Sequence, residues 1–145
     1  MNMKQHEVRL TVEIKAPVER VWDALTRPEI VKQYFFGTEV DTDWKPGSPI
    51  FFRGSWEGKP YEDKGKILEI TPEKRISYTY WSSFSGKPDL PENYKTISYH
   101  LEGSANLTML TVTQDNNANE DEKKHSEKNW QMVFDGLKKL LERIG

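Results

Sequence analysis

Three histidines are the obvious candidates for acid–base chemistry in this sequence. They are His6, His100 and His125, and imidazole is the side chain that titrates nearest neutral pH. None of them stands in a recognisable nucleophile or metal-binding motif. Asp121 and His125 have the i, i+4 spacing that can present two metal ligands, but such pairs are common on charged helices. A solvated helix face is therefore the preferred interpretation, and we expect no metal, no cofactor and no assigned catalytic residue.

Acidic residues near the middle of the sequence are the second candidate for chemistry. Glu57, Glu62 and Asp63 surround residues 58–60, which read Gly-Lys-Pro. Carboxylates act as acid and base only where burial or a nearby charge shifts a pKa, and glycine and proline favour an exposed turn instead. Residues 54–58 (Gly-Ser-Trp-Glu-Gly) do not form a nucleophile elbow, because the serine directly follows the first glycine.

Aromatic residues point to binding rather than catalysis. The 145 residues include 5 Trp, 6 Tyr and 6 Phe, although hydrophobic residues make up only 35% of the sequence. A tryptophan or tyrosine combines an apolar body with a polar tip, which suits a pocket that holds a shape and forms a few hydrogen bonds. Ordinary core packing is the alternative explanation for any single ring.

Composition excludes several classes of function. The formal net charge of −2 argues against a dedicated nucleic-acid binder, and the absence of cysteine excludes disulfides, thiolate zinc sites and a cysteine nucleophile. No apolar run approaches the roughly 18 residues that span a membrane, and residues 1–7 lack the hydrophobic region of a secretion signal. We expect one cytoplasmic domain over residues 1–145, without membrane insertion, and the oligomeric state stays open.

Periodicity predicts the elements that position these residues. Alternation predicts a strand at residues 8–14, and spacings of three and four predict two short helices, the second ending at Gly37 in a left-handed cap. Six strands follow near residues 38–43, 49–56, 62–71, 75–82, 94–102 and 106–114. A long helix begins after Asn119, and its apolar stripe is Trp130, Val133, Phe134, Leu137, Leu140, Leu141 and Ile144.

The predicted fold class is α+β, with a curved antiparallel sheet wrapped around the long C-terminal helix and two short helices after the first strand. Sequential strands with tight turns imply an antiparallel sheet, and only the final helix is long enough to cover one face of it. In this arrangement His100 faces away from Tyr99 and Leu101. Gly136 inside the helix indicates a packing or ligand reason, because glycine is costly in a helix, and close helix–sheet contact is the alternative.

Four stretches in this order resemble the START-like (SRPBCC) superfamily, which has the helix-grip fold. They are residues 14–26 (IKAPVERVWDALT), 65–72 (GKILEITP), 110–114 (LTVTQ) and 130–142. The branch most similar is the AHSA-type branch, named for homology to the activator of the heat-shock-protein ATPase. That branch often has a tryptophan near the end of the second helix, where residues 34–36 read Tyr-Phe-Phe. The resemblance implies a cavity between the sheet and the C-terminal helix, which in the superfamily holds lipids, polyketides or other apolar ligands.

The resemblance and the aromatic residues together predict a small-molecule binding protein that holds an apolar or aromatic ligand in this cavity. The residues expected to contact the ligand are Tyr34, Phe36, Trp56, Tyr78, Tyr80, Tyr99, Trp130 and Phe134. Superfamily members differ widely in activity, so the fold by itself does not specify a reaction.

Two other functions stay open at this point. An enzyme of the cyclase, dehydratase or hydrolase kind would use cavity tyrosines, His100 or a buried carboxylate as acid or base. A co-chaperone-like or stress-response interaction module, with a protein partner, is suggested by the name of the branch. The expected absence of an additional N-terminal domain argues against a full co-chaperone role.

Overall fold

The elements of the structure follow the predicted order. The computed structural model describes residues 6–144, with side chains up to residue 142. The ends of the predicted domain, most of the segment searched for a secretion signal and the Ile144 side chain therefore lie outside the described residues. The strands are β1 (Val8–Ile14), β2 (Glu39–Asp41), β3 (Pro49–Trp56), β4 (Lys59–Thr71), β5 (Arg75–Tyr80), β6 (Lys95–Ser104) and β7 (Leu107–Gln114), and the helices are α1 (Val18–Thr26), α2 (Pro28–Tyr34) and α3 (Glu120–Ile144).

The seven strands form one antiparallel sheet in the order β1-β7-β6-β5-β4-β3-β2. Apart from the pairing of β1 with β7, each strand lies beside its neighbour in sequence, as expected for a series of tight turns. The α+β helix-grip prediction is confirmed. None of the helices within residues 6–144 combines the length and the hydropathy that crossing a membrane requires.

The hairpin between β3 and β4 is tighter than predicted. Glu57 and Gly58 both have positive φ, at 52° and 81°, which is the conformation of a two-residue type I′ turn. Trp56 therefore pairs directly with Lys59, and β4 begins three residues earlier than residue 62, where the sequence placed its start. This extension places Glu62 and Asp63, which the sequence put at the very start of the strand beside a solvated turn, in the body of β4.

The curvature of the sheet has a local cause in β4. Its pairing with β5 shifts register between Ile67 and Glu69, which leaves Leu68 as an extra residue whose side chain is 47% exposed. A bulge of this kind bends a strand and increases its twist. Near the bulge, a Cβ atom on Gly65 would lie 1.6 Å from the carbonyl oxygen of Thr79. Only glycine fits where the two strands approach this closely.

The long helix α3 covers the inner face of the sheet. Asn119 caps it as predicted, because its side-chain oxygen accepts a hydrogen bond from the Glu122 backbone N–H at 2.9 Å. Its described apolar stripe is largely buried, and the buried members are Trp130, Val133, Phe134, Leu137 and Leu141.

Gly136 faces helix α2 rather than the sheet. A Cβ atom at this position would lie 3.3 Å from the Cβ atom of Tyr34, which is closer than an ordinary van der Waals contact. The glycine therefore permits a close approach of two helices. The reason is therefore packing, as one of the alternatives from the sequence had it, but against a helix and not against the sheet.

Candidate functional site

The aromatic residues on the inner face of the sheet form one continuous series of ring contacts, here called the ring series. Side chains two positions apart in a strand share one side of the sheet, so Tyr78 and Tyr80 of β5 both face inward. Successive ring centroids are 5.5 to 6.3 Å apart, within the range of favourable aromatic pairs. From β5 to α3, the ring series is Tyr80, Phe52, Tyr78, Tyr99, Trp130 and Phe134.

A small cavity adjoins the ring series. Its volume is about 20 Å³, close to the space that one water molecule requires. The helices α1 and α2, four strands and the loop between β2 and β3 enclose it. The lining residues are Leu25, Val31, Tyr34, Phe35, Val40, Trp44, Ile50, Phe52, Tyr78 and Tyr99.

This cavity lies beneath α2, whereas the resemblance implied one beneath the C-terminal helix. No residue of α3 is among those that line it. The Trp130 ring contacts the rings of Tyr99 and Phe35 edge-on, with centroids 5.8 and 5.9 Å away, and so occupies the space below the long helix. The cavity is left where α2 spans the remaining part of the sheet.

The eight residues predicted to contact a ligand fall into three groups. Those that line the cavity are Tyr34, Tyr78 and Tyr99. Those that stand behind its wall, as members of the ring series, are Tyr80, Trp130 and Phe134. The remaining two, Phe36 and Trp56, are 45% and 56% exposed and do not line the cavity.

The positions of Phe36 and Trp56 follow from the local backbone. Phe36 has a φ of 56° just after α2, and this left-handed conformation lets the chain leave the helix before the predicted cap Gly37, whose φ is 73°. Its ring contacts Phe35, with centroids 6.0 Å apart, but not the cavity. Trp56 is the last residue of β3, next to the tip of the hairpin.

The six tyrosines differ in how their hydroxyl groups are satisfied. The Tyr34 hydroxyl donates to the Ala24 carbonyl oxygen at 2.6 Å, and those of Tyr61, Tyr80 and Tyr94 have side-chain partners. The hydroxyls of Tyr78 and Tyr99 have no hydrogen bond of ordinary geometry to any described residue. Tyr78 and Tyr99 are only 3% and 7% exposed, and burial raises the pKa of both phenols well above its usual range.

Asp63 corrects the interpretation of the acidic cluster as a solvated turn. It is 7% exposed, and its carboxylate accepts hydrogen bonds from the Tyr80 hydroxyl at 2.5 Å and from the Ser83 N–H and hydroxyl at 2.8 and 3.0 Å. The signal that was missed is the period-two pattern, which puts Asp63 on the same face of β4 as Ile67. The two hydrogen bonds from Ser83 tie the loop after β5 to the sheet. Asp63 is not among the residues that line the cavity.

The histidines do not reach the cavity. His100 lies on the outer face of the sheet opposite Arg75, as its alternation with Tyr99 predicted, and burial together with the nearby Arg75 and Arg9 lowers its pKa. His6 contacts Glu120 with 3.3 Å between the nitrogen and the oxygen. His125 is exposed on α3, and the described part of the chain holds no group of three or more potential metal ligands.

Trp44 is the most informative of the cavity residues that the predicted ligand contacts omitted. It lies in the loop between β2 and β3, lines the cavity and has a φ of 60°, a conformation that is uncommon for a bulky residue. The signal in the sequence is a tryptophan directly before the turn residues Lys-Pro-Gly. The apolar lining residues gave no comparable signal, because core residues and cavity residues have the same composition.

The profile of one protein family matches most of the chain. It is described as Activator of Hsp90 ATPase homolog 1-like protein, and the match covers residues 15–142. No protein with a curated description matches the chain.

Solved structures with a similar fold come from several bacteria. ChR145 from Cytophaga hutchinsonii is 47% identical, with 99% of this chain and 97% of that chain covered and a TM-score of 0.85. NE0264 from Nitrosomonas europaea is 26% identical, with 94% of each chain covered and a TM-score of 0.75. CalU16 from Micromonospora echinospora is 22% identical over 90% of this chain and 73% of that chain, with a TM-score of 0.72, and at this identity the likeness concerns the fold alone.

Proposed function

We propose that this chain, which belongs to the family of Activator of Hsp90 ATPase homolog 1-like proteins, binds a small apolar or aromatic molecule in the cavity beneath α2. The predicted membership of the START-like superfamily is confirmed by the same match. The observation that carries the proposal is a small cavity with largely aromatic walls, at which two buried tyrosine hydroxyls form no hydrogen bond of ordinary geometry with a described residue. Buried polar groups are normally hydrogen-bonded, so free hydroxyls at a cavity are suited to a guest.

The lining of the cavity favours binding over catalysis. It contains no histidine, carboxylate, lysine or arginine, and His100 and Asp63 both lie outside it. An acid–base reaction in this cavity would have to use a tyrosine, and the pKa of each lining tyrosine is raised far above neutral pH. The enzyme alternative therefore has no specific observation in its favour, and the co-chaperone alternative rests on the family name alone.

Binding requires the cavity to expand. Ligand pockets usually have volumes of about 300 Å³ or more, whereas this cavity has a volume of about 20 Å³. Trp44 is the lining residue best placed to move, because it belongs to a loop, is only partly buried and has a strained backbone conformation. We propose that displacement of the Trp44 ring opens the cavity to a ligand.

A fluorescent apolar probe tests this proposal. N-phenyl-1-naphthylamine becomes brightly fluorescent in an apolar site, so saturable binding to the intact protein is measured directly. Val31→Ile places an additional methyl group at the cavity and is expected to weaken probe binding several-fold. Because the added methyl group fills empty space, Val31→Ile is expected to stabilise the free protein by up to about 0.8 kcal/mol.

Val133→Ile is the matched control, because Val133 is 3% exposed on α3 and does not line the cavity. We expect it to leave probe affinity unchanged. Absence of saturable binding, or an equal loss of affinity in both variants, would show that the cavity beneath α2 is not the site.

A further inference from the structure

We infer that the ligand carries a neutral oxygen acceptor, such as a ketone or aldehyde carbonyl, and that Tyr78 and Tyr99 donate hydrogen bonds to it. This inference rests on the proposed function and specifies the chemistry of the ligand. It starts from the contrast between these two tyrosines and the other four, whose hydroxyls are all hydrogen-bonded.

The two hydroxyl groups are adjacent. Tyr78 and Tyr99 lie on the neighbouring strands β5 and β6, and their ring centroids are 6.3 Å apart. As a hydrogen-bonding neighbour, the Tyr99 hydroxyl partly offsets the rise in the pKa of Tyr78, although the geometry of the pair is too poor for an ordinary hydrogen bond. Two donors side by side can bond to the two lone pairs of one carbonyl oxygen.

Both hydroxyl oxygens border free space inside the protein. Neither is among the fully enclosed side-chain atoms that lack a partner, so each retains some open surface. Since both residues are shielded from bulk solvent and line the cavity, this open surface faces the cavity. A guest in the cavity therefore meets the polar tips of both tyrosines.

The remaining lining specifies the charge of the guest. The cavity has no cationic side chain to neutralise an anion and no carboxylate to neutralise a cation, and an unpaired charge is strongly disfavoured in such surroundings. Because burial keeps both phenols protonated, they act as donors across the physiological pH range. A neutral apolar molecule with one oxygen acceptor satisfies all of these conditions.

A matched pair of small probes separates the oxygen acceptor from the apolar skeleton. Acetophenone and ethylbenzene have nearly the same size and differ in the carbonyl group. We expect the unmodified protein to bind acetophenone roughly five- to tenfold more tightly, the effect of one or two net hydrogen bonds. The ¹³C resonance of the labelled carbonyl should shift on binding, because a hydrogen bond polarises the group.

Variants assign this preference to the two hydroxyls. Tyr78→Phe and Tyr99→Phe should each reduce the preference for acetophenone and diminish the ¹³C shift. Neither should weaken the binding of ethylbenzene. Tyr94→Phe, which removes the surface hydroxyl that donates to Asp89, should change neither. In the free protein, Tyr34→Phe should lower the thermal midpoint more than Tyr78→Phe or Tyr99→Phe, because of these three variants only Tyr34→Phe breaks a hydrogen bond of ordinary geometry.

The possible results distinguish this inference from the function on which it rests. Equal binding of both probes, unchanged by Tyr78→Phe and Tyr99→Phe, would overturn the oxygen-acceptor inference and leave apolar binding intact. If neither acetophenone, ethylbenzene nor N-phenyl-1-naphthylamine binds, the oxygen-acceptor inference and the proposed binding function are both overturned. A fall in thermal midpoint for the cavity variants as large as that for Tyr34→Phe would show that the hydroxyls are structural, which also contradicts the inference.

Discussion

Replacement of Trp44 by alanine and by glycine tests whether its backbone is strained. The φ of 60° at this residue costs a residue with a Cβ atom about 1–2 kcal/mol, a penalty that glycine does not have. Glycine in turn lowers the free energy of unfolding by about 0.4–1 kcal/mol relative to alanine, because it makes the unfolded chain more flexible. The difference leaves Trp44→Gly more stable than Trp44→Ala by about 0.5–1 kcal/mol. Both variants lose the half-buried ring, and we expect this loss to lower the free energy of unfolding by about 2 kcal/mol relative to the unmodified protein.

Trp56 supplies the matched control for this comparison. It belongs to strand β3, has no positive φ and is 56% exposed. At such a position alanine is the better residue, so Trp56→Ala should be more stable than Trp56→Gly by about 0.5–1 kcal/mol. The order of the two variants is thus expected to reverse between the two tryptophans.

Denaturant unfolding followed by far-ultraviolet circular dichroism is the suitable assay, since the fluorescence signal changes when a tryptophan is removed. If Trp44→Ala is as stable as Trp44→Gly, the backbone at this position is not strained, and the reasoning is wrong. Faster association of N-phenyl-1-naphthylamine with Trp44→Gly, at similar probe brightness, would link the residue to access. Unchanged association would contradict its role in opening the cavity.

Three further predictions concern buried groups outside this loop. Above pH 10, the ordinary pKa of tyrosine, the free energy of unfolding should fall by about 1.4 kcal/mol per pH unit for each of Tyr78 and Tyr99. Their raised pKa in the folded state stabilises the protein below pH 10, and phenolate absorbance should show them ionising only on unfolding. Gly65→Ala should cost at least about 3 kcal/mol in denaturant unfolding, because its Cβ atom would overlap the β5 backbone; a smaller cost would refute the close approach. Tyr80→Phe should cost about 1.5–3 kcal/mol in the same assay by removing a hydrogen bond to the buried Asp63 carboxylate, and a cost near zero would contradict that bond.

Sequence patterns were sufficient where the physical cause is local. The alternation in β5 and β6 correctly assigned Tyr78 and Tyr99 to the inner face and His100 to the outer face, because a strand has a strict period of two. The cap of α3 at Asn119 was predictable for the same reason, since its hydrogen bond spans only three residues. Such features require no knowledge of the rest of the fold.

Errors arose where one residue changed the register of a longer element. The type I′ turn at residues 57 and 58 lengthened β4 and placed Asp63, which was expected to be solvated beside the turn, in the body of the strand, where it is buried. The turn propensity of Pro60 was outweighed by strand pairing with β3, because a two-residue hairpin joins the strands without a wider loop. The packing partner of Gly136 could not be predicted for a related reason, as Tyr34 is distant in sequence.

By itself, the sequence determined the order of elements, the faces of the strands and the family, since these depend on short-range periodicity and on motifs spread along the chain. Only the tertiary structure decided which rings border free space. The cavity brings together residues from Leu25 to Tyr99, and its position depends on how α2 lies against the sheet while Trp130 fills the space under α3. The empty volume of about 20 Å³ is the small difference between the space that the backbone elements enclose and the volume of the side chains that fill it. Residue types alone do not determine this difference.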